Sequence, residues 1–116
     1  MCDFNIECLI RSLGIGATYR GYRYLTYGIK LCACDEDYLL AISKLLYPEI
    51  AKQFRATSSS VERDIRTVVS ICWERGNRSF LQEIALHPLQ CKPTSGEFFD
   101  ILVSHLKRID HKETHI

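Results

Sequence analysis

The side chains best suited to bind another molecule lie between positions 62 and 70. Two arginines, a glutamate and two hydroxyl residues recur there at spacings that place them around one side of a helix. A guanidinium can donate two hydrogen bonds to one guanine, a carboxylate can accept a hydrogen bond from cytosine N4, and hydroxyls can reach phosphates. This set, which we name the polar face, has the chemistry that the major groove of DNA requires. It comprises Glu62, Arg63, Arg66, Thr67 and Ser70.

A stripe of apolar residues fixes the direction in which the polar face points. The stripe recurs at helical intervals and comprises Val61, Ile65, Val68, Val69 and Cys72. It predicts a helix with one side in the core and the polar face in solvent. The helix is predicted to end at "RGN", residues 75–77, with Gly76 in the left-handed conformation that often follows a helix.

The serine run before this stripe has three interpretations: a flexible linker, a helix cap, or the leading edge of a helix that contacts DNA. The linker is disfavoured because the apolar stripe begins directly at Val61. Ser59 is predicted to be the N-cap, with Glu62 completing a capping box that contributes roughly 1 kcal/mol. Ser59 and Ser60 are also candidate DNA contacts. Whether Glu62 caps the helix or binds a base stays open at this point.

A second short helix precedes the serine run. "YPEIAKQF", residues 47–54, has a proline in its first turn, where the missing N–H would have no partner anyway. Ala51 is small enough to let the next helix cross closely, and Phe54 and Val61 are expected to pack across the corner. Residues 47–75 therefore predict a helix-turn-helix. Arg55 lies where many such turns have glycine, so we expect a turn of different shape.

The rest of the chain is also predicted to be helical. Residues 4–13 form one helix before two glycines, and residues 19–34 form another, although their aromatic residues also fit a strand. Residues 38–46 either continue that helix or start a new one. Residues 80–85 form a short helix, and the last begins with the capping box of Thr94 and Glu97. The sequence thus predicts an all-α, compact bundle of about six helices without a wing, followed by a frayed tail at 111–116.

Composition narrows the class of protein. The 116 residues suit one domain that buries its own core, and the formal net charge is +1, with the basic surplus between residues 52 and 78. Six cysteines, with acidic residues where a secretion leader would have basic and apolar ones, predict a reduced, cytoplasmic protein. No apolar run approaches the roughly 18 residues of a membrane span. The sequence predicts no metal, no cofactor and no enzymatic activity, because the cysteines and histidines lack metal-site spacing and no nucleophile signature occurs.

Several motifs resemble one known family. "RGYRYL", "LYPEIAKQF", "SSVERDIR", "WERGN" and "CKPTSGEFF" occur in this order. Together they resemble the DNA-binding effector domain of the sporulation master response regulator, stage zero sporulation protein A. The resemblance extends from about residue 6 to residue 112 and is more specific than a helix-turn-helix alone.

The resemblance implies a bacterial two-component effector domain that binds TGTCGAA-like promoter boxes in double-stranded DNA, often as tandem copies or a homodimer, and acts as an activator or a repressor. It implies that Glu62, Arg63 and Arg66 contact bases. It places Lys92 and Thr94 in a loop near the DNA backbone or minor groove. It also implies that residues 76–89 contact the sigma subunit of RNA polymerase.

Two departures from the family qualify this expectation. The family's receiver domain is absent from these 116 residues, so the chain is interpreted as an excised domain or a natural single-domain relative, and phosphorylation control is not implied. Ser60 and Thr67 stand where the family often has larger basic side chains, which is expected to weaken phosphate contacts or alter the preferred box. The alternative hypothesis is a receiverless protein-interaction module that modulates a full-length regulator or sigma factor without binding DNA.

Overall fold

The chain folds into an all-α bundle, as the sequence predicted. The computed structural model describes the backbone of residues 3–114 and the side chains of residues 3–110. Within that part no strand occurs, and seven α-helices and one π-helical turn follow one another. They are α1 (Asp3–Ser12), α2 (Arg20–Cys34), α3 (Asp37–Leu40), the π-helical turn (Ile42–Leu46), α4 (Tyr47–Phe54), α5 (Ser58–Glu74), α6 (Arg78–Ala85) and α7 (Ser95–Thr114).

The region between α2 and α4 starts a new helix rather than continuing α2. Asp35 is extended, with φ −147° and ψ 104°, and ends α2. Its side chain accepts a hydrogen bond from the Asp37 backbone N–H at 3.0 Å. Ala41, with φ −144°, then separates α3 from the π-helical turn, which runs directly into α4. The apolar series predicted to be helical at 38–46 therefore forms two short elements, and α3 is the helix beyond the six that the sequence predicted.

Helix α2 lies at the centre of the bundle and packs against α1, α4, α5 and α7. Glycine allows its closest approach to α5. A Cβ at Gly21 would lie 2.4 Å from the backbone oxygen of Asp64 and 2.7 Å from Cγ1 of Val68. Both distances are shorter than real contacts, so the position of α5 against α2 depends on the absence of a side chain at residue 21.

The end of α5 differs from the prediction for Gly76. Gly76 does not have a positive φ; Gly14 is the glycine of the described chain that does, at +85°. Gly76 is instead required for close packing, because a Cβ there would lie 2.5 Å from the backbone oxygen of Leu13. Asn77 secures the same junction by donating from its backbone N–H to Leu13 at 3.0 Å and from Nδ2 to the Ser12 oxygen at 3.2 Å. The "RGN" motif thus joins α5 to α1.

The capping box of the last helix is confirmed. The Glu97 N–H donates to Thr94 Oγ1 at 3.1 Å, and the Thr94 N–H donates to Glu97 Oε1 at 3.2 Å. Helix α7 then continues to Thr114, so the backbone of residues 111–114, which the sequence assigned to a tail, is helical. The rest of that predicted tail, residues 115 and 116, lies outside the described residues. No helix within residues 3–114 has both the length and the apolar character needed to cross a bilayer.

The cysteines of the described chain divide into buried and exposed thiols. Burial raises the pKa of Cys32 to about 12 and that of Cys72 to about 11. Cys8, Cys34 and Cys91 are exposed. Cys32 and Cys34 therefore lie on different sides of α2, as their spacing indicated. Among the described residues, no three His, Cys, Asp or Glu side chains converge as a metal site would require.

Candidate nucleic-acid interface

Helices α4 and α5 form the predicted helix-turn-helix corner. Ile50 and Ala51 on α4 and Val61 and Ile65 on α5 are buried. Arg55 adopts the left-handed conformation, with φ 54° and ψ 44°, and the N–H groups of Arg55 and Ala56 both donate to the Ala51 oxygen. The sequence predicted a turn of different shape because Arg55 stands where glycine is common, and this prediction is therefore wrong. The arginine takes the conformation usually left to glycine, at a cost of roughly 1 kcal/mol.

The start of α5 differs from the predicted cap. Thr57, not Ser59, is the N-cap: its backbone is extended, and its Oγ1 accepts a hydrogen bond from the Ser60 N–H at 3.1 Å. Ser59 already belongs to the first turn, and its side chain is exposed. The Thr57 hydroxyl also donates to Ser60 Oγ at 3.0 Å. The helix thus begins earlier than predicted, and its cap does not use the Glu62 carboxylate.

The polar face points into solvent as predicted. Four of its five side chains are exposed, and Ser70 is half-buried. Its arginines lie near carboxylates: Arg66 Nη1 is 3.5 Å from Glu62 Oε1, and Arg63 Nε is 3.6 Å from Asp64 Oδ1. The pair of Arg66 and Glu62 is exposed and contributes about 0–1 kcal/mol, so Arg66 can leave it for a stronger partner at little cost. The Asp64 side chain is only 17% exposed, so its pair with Arg63 is not of this exposed kind.

The two hydroxyls of the polar face already have hydrogen-bond partners, one in the backbone and one in a side chain. Thr67 Oγ1 donates to the Arg63 backbone oxygen at 3.0 Å, which is the usual bond of a threonine inside a helix. Ser70 Oγ accepts a hydrogen bond from Lys92 Nζ at 2.9 Å. Thr67 would therefore have to give up its helix bond before it could donate to another group, whereas Ser70 keeps its own O–H.

The loop before α7 lies beside the polar face and carries Lys92 and Thr94. The two residues and Arg66 line one shallow depression beside α5, together with Val69, Pro93 and Ser95. A neighbouring depression lies further along α5; its lining residues are Arg66, Thr67, Ser70, Ile71, Glu74, Arg75 and Lys92. The two depressions share Arg66 and Lys92 and so adjoin each other, whereas Ser59 and Ser60 lie in the first turn of α5 and line neither.

Two residues near this surface were not predicted as part of it. Tyr47, the first residue of α4, is buried and hydrogen-bonds the side chain of Ser95, which lines the first depression; burial is the main cause that raises the pKa of Tyr47. Arg75 lines the second depression although it lies past the end of α5. Periodicity could not indicate Arg75, because helical spacing ceases to apply where the helix ends. The position of Tyr47 depends on tertiary packing.

A comparison with protein families matches residues 6–106 to the family described as "Sporulation initiation factor Spo0A C terminal". This match covers most of α1, all of α2 to α6 and much of α7, and it includes the whole polar face and the loop before α7. The family is that of the C-terminal DNA-binding domain of Spo0A, a regulator of sporulation transcription. Membership of a DNA-binding family agrees with the helix-turn-helix corner and with the exposed arginines on the second helix of that corner. The chain belongs to the Spo0A C-terminal domain family, whose members are DNA-binding effector domains of the sporulation regulator.

Proposed function

We propose that this domain regulates transcription by binding TGTCGAA-like promoter boxes, with α5 inserted in the major groove of double-stranded DNA. The observation that carries the proposal is the exposed polar face of α5 in a helix-turn-helix corner. The second helix of such a corner is the element that enters the major groove. The surrounding surface supplies Lys92 and Thr94 for the DNA backbone.

Each charged side chain of the polar face has a distinct role in this proposal. Arg63 and Arg66 donate to guanine acceptors, and Glu62 accepts from cytosine N4. The cap at Thr57 supports the role of Glu62, because it leaves that carboxylate free of the helix terminus. On binding, Arg66 exchanges its 3.5 Å contact with Glu62 for a base, so both side chains become available together.

Substitution of Arg63 tests this assignment. Arg63→Ala should weaken binding to the cognate duplex by about 1–3 kcal/mol, or roughly 5- to 150-fold, and relax the base preference at one position. Lys107→Ala is the matched control, because it also removes one cation but lies on α7, paired with Glu36. Fluorescence anisotropy with labelled duplexes measures both. Equal affinity of Arg63→Ala and wild type would refute the role of Arg63.

A second candidate is a protein-interaction module that modulates a full-length regulator or sigma factor without binding DNA. The observation that favours it is Leu86, which is 71 % exposed at the end of α6 with φ 64°. The loop after it is held in place by Gln82, whose side-chain amide bonds both the N–H and the oxygen of Leu89 at 2.9 and 3.0 Å. In this candidate, Leu86 is the apolar side chain that a partner protein would contact.

Salt dependence separates the two candidates. Phosphate contacts release counterions, so the logarithm of Kd of a DNA-binding domain rises linearly with the logarithm of the salt concentration. We expect this slope for a TGTCGAA duplex, and we expect Leu86→Ala to leave it unchanged. Absence of duplex binding at low salt would favour the interaction module.

A protein contact near Leu86 is also compatible with DNA binding through α5. In the leading proposal, residues 76–89 contact the sigma subunit of RNA polymerase while α5 binds the promoter. Tandem copies or a homodimer bind adjacent boxes, and the domain acts in the bacterial cytoplasm without catalysing a reaction. Leu86→Ala should then reduce transcription from a reporter promoter while duplex affinity stays at the wild-type value. A loss of duplex affinity in this variant would contradict a separate polymerase contact.

A further inference from the structure

We propose that the depression at the C-terminal half of α5 binds one backbone phosphate of DNA, with Arg75 as a phosphate contact and Ser70 as the residue that positions Lys92. This inference rests on the proposed DNA-binding function and deepens it. It changes the role of Ser70 from a DNA contact to a support. It also adds Arg75 to the interface.

The charges around the depression favour an anion. Arg66, Arg75 and Lys92 line it, and Glu74 is the one acidic residue among its lining side chains. Arg75 is exposed and has no ion pair in the described part of the chain. Three cations around one opening, with one carboxylate among them, suit a phosphodiester. A base edge is a poorer fit, because the depression extends from Arg66 to Arg75, past the C-terminal end of α5.

The Lys92–Ser70 hydrogen bond supplies the organisation of this site. It joins residues 22 positions apart in the chain, and at 2.9 Å it is the hydrogen bond that ties the loop side chain to α5. A free lysine has a long, flexible side chain that loses entropy on binding. Ser70 accepts one of three ammonium hydrogens and leaves two for the phosphate. Lys92 lines both depressions, so its fixed ammonium lies between the two parts of the surface.

Ser70 is less accessible to DNA than the cations around it. Its side chain is half-buried, and its oxygen already accepts a hydrogen bond from Lys92, which leaves its own O–H as its one donor. Thr67 is likewise engaged with the Arg63 backbone oxygen. The charged donors at this depression that the base contacts do not use are therefore the guanidinium of Arg75 and the ammonium of Lys92.

The test measures affinity for a TGTCGAA duplex and a scrambled duplex over a range of salt concentrations. Arg75→Ala should lower the salt slope by about 1 and weaken binding to both duplexes by the same factor, because a phosphate contact carries no sequence information. Glu74→Gln should tighten binding to both. Lys107→Ala, with the same charge change as Arg75→Ala, should have the wild-type slope.

A double-mutant cycle tests the positioning role. Ser70→Ala should weaken binding several-fold, Ser70→Thr should restore it, and Ser70→Ala should have no further effect in a Lys92→Ala background. A structural role of Ser70 alone would weaken binding in both backgrounds. Wild-type binding by Arg75→Ala, or equal effects of Ser70→Ala with and without Lys92, would overturn this inference while leaving the proposed function intact. No duplex binding by the wild-type domain would overturn both.

Discussion

The crossing of α2 and α5 makes Gly21→Ala the substitution that most directly tests how the fold positions the polar face. The added Cβ would lie 2.4 Å from the Asp64 oxygen, whereas ordinary contacts begin at 3.4 Å, so α5 must move by about 1 Å away from α2. Overpacking of this kind costs about 1–3 kcal/mol. Alanine returns about 0.5–1 kcal/mol of helix propensity. The expected net loss is therefore centred on about 1 kcal/mol, within a range of about 0–2.5 kcal/mol.

The variant Gly96→Ala is a matched control for this prediction. Gly96 is the second residue of α7, as Gly21 is the second residue of α2, but a Cβ at Gly96 would meet nothing closer than Ile42 Cγ1 at 3.6 Å. Gly96→Ala should therefore be neutral or slightly stabilising. Urea unfolding followed by the fluorescence of Trp73, the single tryptophan, measures both free energies of unfolding.

Gly21→Ala should also change recognition. A shift of about 1 Å in α5 moves the arginines relative to the loop that carries Lys92, and each bidentate arginine contact contributes about 1–3 kcal/mol. We expect Kd for the cognate duplex to rise about tenfold, with a smaller change for a scrambled duplex. If Gly21→Ala were as stable as Gly96→Ala and bound with wild-type affinity, the close crossing would not determine the position of α5.

Three further predictions concern caps, turns and thiols. Thr57→Ala should lower the free energy of unfolding in urea by about 1 kcal/mol, whereas Ser59→Ala should change it by less than about 0.5 kcal/mol. A larger loss for Ser59→Ala than for Thr57→Ala would indicate that Ser59 is the N-cap. Arg55→Gly should raise the free energy of unfolding by about 0.5–1 kcal/mol because its φ is 54°, and a loss of stability would contradict a strained turn. Cys32 and Cys72 should resist alkylation in the native protein at neutral pH, as measured by mass spectrometry of peptides. Because these pKa values are raised, the buried thiols contribute fully to the free energy of unfolding below about pH 9, and this contribution is lost as pH rises towards 11–12. A free energy of unfolding that stayed constant over that range would contradict burial of these thiols.

Local patterns predicted most of the helices because each has a strong period or a capping signal of its own. The apolar stripe of α5 and the box of Thr94 and Glu97 required no knowledge of the rest of the fold. The cap at Thr57 was missed because several hydroxyl residues in a row offer equivalent caps, and only backbone geometry selects one. The π-helical turn at 42–46 has no distinct sequence period, so its residues were predicted as part of one series.

The geometry of the candidate interface could be predicted where it follows α5 and could not be predicted where it depends on packing. The polar face follows from the spacing of its residues, and the loop with Lys92 was placed by family resemblance. The Lys92–Ser70 hydrogen bond depends on how the loop folds back on α5. Gly76 shows the same limit: a glycine after a helix usually serves a left-handed turn, yet here the approach of α1 requires it.

The central claim is that the polar face of α5 reads a DNA sequence. The most direct measurement is the ratio of affinities for a TGTCGAA duplex and a scrambled duplex at one salt concentration, for wild type and Arg63→Ala. We predict that wild type prefers the TGTCGAA duplex by at least about 100-fold and that Arg63→Ala reduces this ratio by about 5- to 150-fold. Equal affinity of the wild-type domain for the two duplexes would contradict the claim.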